Sequence, residues 1–291
     1  MVALRPIGFM KLKNYLQLLL TSSLWGSSFL LMKYALIDLN PFQISSYRIF
    51  IGALFINLIS KQNKKFPLKK HLNLAMVGLL WMSIPFYFFA KAEETIQSNL
   101  AGLINGATPI FISMFGVLFF AQKINKKQKT YLIFGFVGIY LISFGIGSFN
   151  FNLDIGTILA LLASICYGIA ANIVQPLIKE FGPLNSLKMA LRYASLFSFI
   201  LLMLNSEFIL PTTDNSLVPI LLLGIGSSGV AFLSFYNLID DVGAIVGSIT
   251  VYIIPVFAAL FGFIFLNEIT TVSQMLGVVI VIFSAFKFSR S

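Results

Sequence analysis

Charged residues are scarce in this sequence. Only 10% of its 291 residues are Asp, Glu, Lys or Arg, whereas a soluble globular domain carries about 25%. Hydrophobic residues make up 58%, and the mean hydropathy is +0.92. A soluble chain of this length could not bury so much apolar surface. The composition therefore predicts one compact domain embedded in a membrane.

Cysteine and histidine are nearly absent. Each occurs once, as Cys166 within an apolar run and His71 beside lysines. A lone cysteine excludes a disulfide within the chain, and one residue of each kind cannot supply the usual zinc ligands or a Cys–His nucleophile pair. The sequence also contains no Walker P-loop, which argues against a nucleotide-driven pump subunit. We therefore expect no catalytic residue, no metal and no cofactor.

Long apolar runs make up most of the chain. A membrane-spanning helix needs about 20 mostly apolar residues, because the hydrocarbon is about 30 Å thick and a helix rises about 1.5 Å per residue. Such runs are separated here by short loops of charged and turn-forming residues. We predict an all-α integral membrane protein with ten transmembrane helices in the lipid bilayer, at 14–36, 43–60, 72–90, 98–120, 129–147, 155–177, 187–205, 217–237, 244–266 and 271–288.

The basic residues fall in alternate loops. With the N-terminus in the cytoplasm, 16 of the 20 Lys and Arg residues lie on the cytoplasmic side. This is the distribution of the positive-inside rule, so we predict a multi-pass protein of the cell (inner) membrane with both termini cytoplasmic. The net charge of +10 is then a topology signal, and we expect no nucleic-acid partner. The acidic residues expected on the outer side are Asp38, Glu93, Glu94, Asp154, Glu207, Asp214 and Glu268.

The two halves of the sequence resemble each other at constant offsets. A shift of 146 pairs Gly78 with Gly224, Pro109 with Pro255, Phe111 with Phe257 and Gln128 with Gln274, and a shift of 142 pairs Trp25-Gly26 with Tyr167-Gly168 and Pro41 with Pro183. Each half contains five predicted helices. Because five is odd, the second half enters the membrane from the opposite side. We predict two inverted five-helix repeats, 1–149 and 150–291, an architecture that recurs in secondary transporters.

The predicted helices and loops also contain a set of short motifs. They are Trp25-Gly26-Ser27-Ser28-Phe29 in the first helix, Arg48 in the second, the segments 105–111 and 253–257 with their Pro-x-Phe pattern, and Asn267-Glu268 followed by Gln274-Met275-Leu276-Gly277. Together these motifs resemble the EamA-type drug/metabolite transporter superfamily over the whole chain. One departure is Gln122, where the first repeat of that family usually has a glutamate. The resemblance implies a ten-helix carrier of small metabolites and does not identify the substrate.

Two arginines lie inside predicted helices, where a charge at the bilayer centre costs about 2.5–3.5 kcal/mol on insertion scales. Arg48 is seven residues past Pro41 and Arg192 is nine past Pro183, which corresponds to depths of about 10 Å and about 14 Å. A long stem can carry the charged head to the interface, and we prefer that explanation for Arg192. For Arg48, which the resemblance also places in the pathway, we predict an inter-helix or substrate-binding role, because a guanidinium binds carboxylate or phosphate bidentately.

Small residues recur along one face of the fourth and ninth predicted helices. We attribute most of their glycines to close helix packing. Pro109 and Pro255 are different, because each removes a helical hydrogen bond, and broken helices are tolerated where they border a cavity. A cavity or gate role for these two prolines and a packing role are equal alternatives.

Aromatic and amide side chains complete the candidate site. Rings at paired repeat positions or on small-residue faces are candidates for holding an apolar ligand, against ordinary packing. Amides inside helices either bond to a neighbouring helix or line a wet cavity. The candidate substrate-binding or gating residues are Trp25, Ser28, Arg48, Trp81, Asn105, Pro109, Tyr167, Asn172, Tyr252 and Pro255.

We interpret the chain as a secondary transporter, whether exporter, exchanger or facilitator, of a small organic metabolite that works by alternating access. The alternative is a polytopic membrane enzyme acting on a lipid or isoprenoid, which requires clustered reactive groups at one membrane face. The two carboxylate pairs, Glu93-Glu94 and Asp240-Asp241, are instead predicted on opposite faces.

Energy coupling is predicted from the acidic residues. Proton-coupled carriers commonly use a buried carboxylate, whereas every acidic residue here falls in a loop or at a helix end. We therefore expect facilitated diffusion or exchange. Glu93 and Glu94 are the exception to watch, because the end of the third helix could reach into the cavity.

Overall fold

The computed structural model describes residues 11–60, 65–121, 125–144, 154–205, 209–242 and 249–290. Over these residues the chain forms helices joined by short connections, and no strand. The helices are α1 (Leu12–Ala35), α2 (Pro41–Ile59), α3 (Leu68–Ala92), α4 (Ser98–Phe119), α5 (Lys126–Phe144), α6 (Ile155–Phe181), α7 (Pro183–Asn205), α8 (Asp214–Val242), α9 (Ile249–Leu266) and α10 (Val272–Arg290). The predicted all-α fold is confirmed; Gln122 and Glu207 lie outside the described residues.

Length and composition identify most of these helices as membrane spans. Six of them, α2, α3, α4, α6, α7 and α8, are long and apolar enough to cross a bilayer. Shorter apolar stretches occupy α9, at Thr250–Leu266, and α10, at Val272–Ser284. The other two helices, α1 and α5, are 24 and 19 residues long and carry lysines and amides in their first turns. The described helices thus form the bundle of a ten-helix membrane protein.

Helix caps explain where the predicted boundaries differ from the observed ones. The helix α2 begins at Pro41 because Asn40 and Gln43 form a capping box, in which each side chain accepts a hydrogen bond from the backbone N–H of the other, at 3.0 and 2.9 Å. The helix α6 continues through Pro176 to Phe181, four residues beyond the predicted end at 177. It ends at Gly182, whose φ of +86° favours glycine.

Two helices contain a π-helical segment that hydropathy does not predict. It covers Leu79–Ser83 in α3 and Leu222–Val230 in α8. The shift of 146 that pairs Gly78 with Gly224 places the first segment inside the second. The same distortion therefore occurs at corresponding places in both repeats. Segments of this kind are frequent at functional sites.

Contacts between the halves follow the inverted repeat. The helix α1 packs against α9, and its counterpart α6 packs against α4. A Cβ added at Gly26 would lie 2.4 Å from the Cβ of Phe257, and one at Gly168 would lie 2.6 Å from the Cβ of Phe111. The two shifts found in the sequence relate these pairs. Each half therefore packs its first helix on the fourth helix of the other half, as two inverted five-helix repeats require.

Charged contacts distinguish the two ends of the bundle. Near the start of α1, Lys13 forms an ion pair of 3.0 Å with Asp241. Near the end of the same helix, Lys33 donates a hydrogen bond of 2.5 Å to the backbone carbonyl of Glu93. The two lysines are 20 residues apart, which is about 30 Å along a helix. The two carboxylate pairs thus lie at opposite ends of the bundle.

Candidate functional site

Arg48 of α2 lies in the interior of the bundle with 2% of its surface exposed. Its Nε donates a hydrogen bond of 3.2 Å to Ser228 Oγ, and its guanidinium carbon lies 3.8 Å from the centroid of the Phe86 ring. Its Nη1 contacts the sulfur of Met32 at 3.5 Å. Over the described part of the chain, no carboxylate lies within ion-pair distance of this guanidinium. The interior of the bundle therefore contains a positive charge without an acidic partner, an arrangement that favours an anionic ligand.

A cluster of aromatic rings extends from Arg48. The ring of Phe86, below the guanidinium, lies 6.2 Å from that of Phe232. The two tryptophans contact Phe232 edge-on, Trp25 at 5.0 Å and Trp81 at 6.2 Å between ring centroids. These rings form an apolar wall beside the charge. We call the Arg48 site the set made of Trp25, Arg48, Trp81, Phe86, Ser228 and Phe232.

The Arg48 site lies between the two repeats. The first repeat contributes residues from α1, α2 and α3, and the second repeat contributes residues from α8. The two π-helical segments both reach the site, one through Trp81 and the other through Ser228. The indole N–H of Trp25 also crosses between the repeats, donating 3.1 Å to the backbone carbonyl of Ser227. The sequence-predicted residues Trp25, Arg48 and Trp81 are thus brought together by the fold.

Glu93 immediately follows α3 and is fully buried, with 0% of its surface exposed. Among the described residues, none donates a hydrogen bond to either carboxyl oxygen. Burial raises the pKa of Glu93 well above its usual range; Lys33 opposes this shift, Glu268 adds to it and Arg48 opposes it. The ammonium of Lys33 bonds instead to backbone carbonyls, at 2.5 Å for Glu93 and 3.1 Å for Ile96.

Glu93 lies at the end of a helix, as the sequence predicts, but its side chain is buried in the interior of the bundle. The turn after α3 folds inward, so that Ala92 and Ile96 on either side of it are buried as well. Glu94 is exposed and pairs with Lys91. Two adjacent glutamates at a helix end look alike in the sequence. Only the tertiary structure shows that the side chain of Glu93 is buried and that of Glu94 is exposed.

The fold agrees with a family-level comparison. The model of the EamA-like transporter family matches residues 12–144 and again residues 154–290. The chain belongs to the EamA-like transporter family. The resemblance inferred from the short motifs is therefore confirmed, and the family contains membrane transporters.

Relatives of this EamA-like transporter extend over nearly its whole length. A protein of Archaeoglobus fulgidus named "Uncharacterized transporter" is 25% identical, over 91% of this chain and 95% of that protein. The "Uncharacterized transporter YoaV" of Bacillus subtilis is 24% identical over 96% and 98%. The "Uncharacterized inner membrane transporter YedA" of Escherichia coli is 25% identical over 82% and 78%. A solved crystal structure has the same fold, with a TM-score of 0.67 at 15% identity over 96% of both chains.

Glu268 of this EamA-like transporter caps a helix and takes no part in the Arg48 site. Its carboxylate, 6% exposed, accepts hydrogen bonds from the backbone N–H and hydroxyl of Ser98 and from the backbone N–H of Asn99, each at 2.8 Å. These donors lie at the N-terminus of α4, where backbone N–H groups have no helical acceptor. The loop after α9 in the second repeat therefore stabilises the start of a helix in the first.

Pro109 and Pro255 have different surroundings in this EamA-like transporter, and Pro255 of α9 packs against α4. The helix α4 is interrupted at Gly106 and Ala107, and Pro109 is the second residue of the segment that continues it. A Cβ at Gly106 would lie 2.3 Å from the Cγ of Pro255. Close packing thus accounts for the glycine, as predicted. A gate role for the prolines stays a prediction.

The polar candidates Ser28, Asn105 and Asn172 are bonded to the helices themselves. Ser28 Oγ donates 2.6 Å to a carbonyl of its own helix. Asn105 Oδ1 accepts a hydrogen bond of 3.3 Å from Thr108. Asn172 donates 2.9 Å to a carbonyl of α6 and 3.1 Å to the carbonyl of Ile112 in α4. Asn172 therefore links two helices of the EamA-like fold, which corresponds to the simpler of its two predicted roles.

The two tyrosine candidates occupy different surroundings. Tyr167 packs beside Phe89, with 5.9 Å between the ring centroids. Tyr252 is 7% exposed and lies in the same part of the buried hydrophobic core as Phe111. Substrate binding by Tyr167 and by Tyr252 of this EamA-like transporter stays a prediction.

Proposed function

We propose that this protein is a secondary transporter that moves a small organic anion across the cytoplasmic membrane by alternating access. The observation that supports this most directly is the buried guanidinium of Arg48, whose neighbours are a hydroxyl, a thioether and an aromatic ring. A guanidinium offers donors in a planar fork that matches a carboxylate or phosphate. Its burial also strengthens such a contact, because little water competes for it.

The aromatic wall suggests the rest of the ligand. Phe86 covers one face of the guanidinium, and Trp25, Trp81 and Phe232 continue the wall away from the charge. Small-molecule sites are commonly apolar surfaces with a few polar groups that fix orientation. We therefore propose a substrate with one carboxylate or phosphate and an apolar or aromatic body.

The position of the Arg48 site between the repeats, which we divide at residues 1–149 and 150–291, supports alternating access. The two halves of such transporters move relative to each other around a central site. The hydrogen bonds from Arg48 to Ser228 and from Trp25 to Ser227 join the halves at this point. We expect these bonds to break and re-form during the transport cycle.

We also propose that both termini are cytoplasmic. The alternation of 16 of the 20 basic residues onto one side supports this orientation. The name of the Escherichia coli relative, an inner membrane transporter, supports the choice of membrane.

Transport by proteoliposomes tests the proposal. Purified protein is reconstituted, and uptake is measured for labelled aliphatic carboxylates, aromatic carboxylates and sugar phosphates, with amines and neutral amides as comparison compounds. We expect flux of at least one anion. Arg48→Ala should reduce it roughly 10- to 100-fold, because hydrogen bonds to a charged group contribute about 1.5–3 kcal/mol. Arg48→Lys should give an intermediate rate, since lysine keeps the charge and loses the fork.

Arg192→Ala is the matched control. Arg192 is also an arginine within a predicted helix, but it is exposed and donates 3.0 Å to Asn57 Oδ1. This variant should transport at the wild-type rate. Size-exclusion chromatography of each variant separates loss of transport from loss of folded protein. Full anion flux by folded Arg48→Ala, or flux restricted to amines and neutral amides, would refute the proposal.

A further inference from the structure

We propose that Glu93 is the proton-binding residue of this transporter, and that a proton on Glu93 and an organic anion on Arg48 are carried together in the same direction. The proton site follows from the surroundings of Glu93 alone. The co-transported anion rests on the proposed function.

The surroundings of Glu93 favour the neutral form of its carboxyl group. Its side chain has no exposed surface, and over the described residues no donor reaches either carboxyl oxygen. An ionised carboxylate in such surroundings is strongly disfavoured, and burial raises the pKa of Glu93. The carboxyl group is therefore protonated in the conformation of the structure. Conformations that expose Glu93 to water bind the proton less tightly, so rising pH favours them over the conformation that buries it.

Three charged groups act on Glu93 from the elements around it. Lys33 comes from α1, Glu268 from the loop after α9, and Arg48 from α2. Lys33 is engaged with two backbone carbonyls, and Glu268 is engaged with the N-terminus of α4. Of the three groups, Arg48 is the one that would bind the anionic substrate, so its effect on Glu93 changes when the substrate binds.

The sign of the coupling follows from these charges. The positive charge of Arg48 favours the ionised form of Glu93. An anion bound to Arg48 cancels part of that charge, and its own negative charge further disfavours ionised Glu93. The anion therefore strengthens proton binding, and by linkage the proton strengthens anion binding to the same degree. This positive coupling is what co-transport in one direction requires.

The proton is taken up and released without any other reactant. When the bundle opens to one side, water reaches Glu93 and a proton from that water forms the carboxyl O–H bond. Closure buries the neutral group together with the anion. Opening to the other side exposes Glu93 again, the O–H bond breaks, and the proton leaves to the water there.

Proton occupancy is tested without any substrate. Infrared spectra of the full-length reconstituted protein are recorded from about pH 5 to about pH 9, a range in which ordinary glutamates are already largely ionised. The protonated-carboxyl band should persist at neutral pH in the wild type and in Glu94→Gln, and it should be lost in Glu93→Gln. Identical wild-type and Glu93→Gln spectra at every pH would overturn the proton site. Glu94 is the matched control because it is adjacent and exposed.

Tryptophan fluorescence of the same samples tests whether protonation of Glu93 affects the Arg48 site. The chain has two tryptophans, Trp25 and Trp81, and both belong to the Arg48 site. Their emission should change with pH at the infrared midpoint, and Glu93→Gln should abolish the change. Lys33→Gln should move the midpoint to higher pH, because a charge that favours ionised Glu93 is removed. Emission that does not change with pH, or that changes equally in Glu93→Gln, would overturn the link between Glu93 and the site.

Co-transport is tested with the labelled carboxylates and phosphates, taken up against their gradient at zero membrane potential. A gradient of about one pH unit, acidic outside, should support about tenfold accumulation by the wild type and Glu94→Gln, and none by Glu93→Gln. Equal Arg48-dependent uptake with and without the gradient would overturn co-transport and leave anion transport intact. Absence of any Arg48-dependent uptake would instead refute the proposed function, with the infrared and fluorescence results standing independently.

Discussion

Replacing Glu268 with glutamine tests how strongly one repeat stabilises the other. The carboxylate accepts three hydrogen bonds of 2.8 Å from Ser98 and Asn99, and it is 6% exposed, so water screens it little. A hydrogen bond to a charged group contributes about 1.5–3 kcal/mol, and a negative charge at a helix N-terminus contributes up to about 2 kcal/mol. Glutamine keeps one acceptor and turns an N–H₂ group toward the donors. We therefore expect Glu268→Gln to lower the free energy of unfolding by about 2–4 kcal/mol.

The assay is reversible unfolding of the reconstituted protein, with thermal unfolding in detergent as a second readout. Gly262→Ala provides an independent perturbation of the same contact, because a Cβ there would lie 2.6 Å from Glu268 Oε2 and would displace the carboxylate. It should destabilise the protein in the same way. The exposed Glu94→Gln is the control and should change stability by less than about 0.5 kcal/mol. If Glu268→Gln unfolds like Glu94→Gln, the cap does not stabilise the bundle and the reasoning is refuted.

Three further predictions concern packing, topology and binding. Gly26→Ala should destabilise the protein by about 1–3 kcal/mol, because its Cβ would lie 2.4 Å from the nearest atom, whereas Gly226→Ala, with a nearest atom at 3.4 Å, should be tolerated; equal thermal stability of the two variants would contradict this. Reporter fusions at Gln62, at Lys127 and at the C-terminus should all report cytoplasm, and a periplasmic signal at any of them would contradict the orientation. Trp25→Ala should raise the half-saturating substrate concentration more than it lowers the yield of folded protein; an equal loss of both would make Trp25 a packing residue.

The sequence predicts those residues of the candidate site that are unusual for the segment of the chain in which they occur. Arg48 is visible because a charge interrupts an apolar run, and Trp25 stands out by its repeat position, which pairs it with Tyr167. The inverted repeat does not help to identify Arg48, since the shift of 142 pairs it with Ala190. What lies beside Arg48 was not predictable, because Phe86, Ser228 and Phe232 come from distant segments and resemble many other aromatic and small residues of the chain.

The same limit applies to local geometry. The π-helical segments of α3 and α8 depend on how side chains pack between neighbouring helices. The hydropathy of the sequence does not report such packing. The length of α6 was underestimated by four residues, because the apolar run stops before Lys179 although the helix continues to Phe181. Cap residues and backbone conformation set such boundaries within a few residues, whereas apolar runs indicate only that a span exists.

Composition and long apolar runs by themselves determined that this protein is an all-α membrane bundle, because a bilayer accepts only segments that satisfy their own backbone hydrogen bonds. Odd helix number in each repeat determined the inversion, since it is a matter of counting. Tertiary structure alone decided which polar groups are buried and what they face. Glu93 and Glu94 are neighbours at the same helix end and carry the same charge. Glu93 is enclosed with no hydrogen-bond donor among the described residues, whereas Glu94 is exposed beside Lys91. The difference arises from the direction of a single turn against α1, and that direction depends on contacts among residues far apart in the chain.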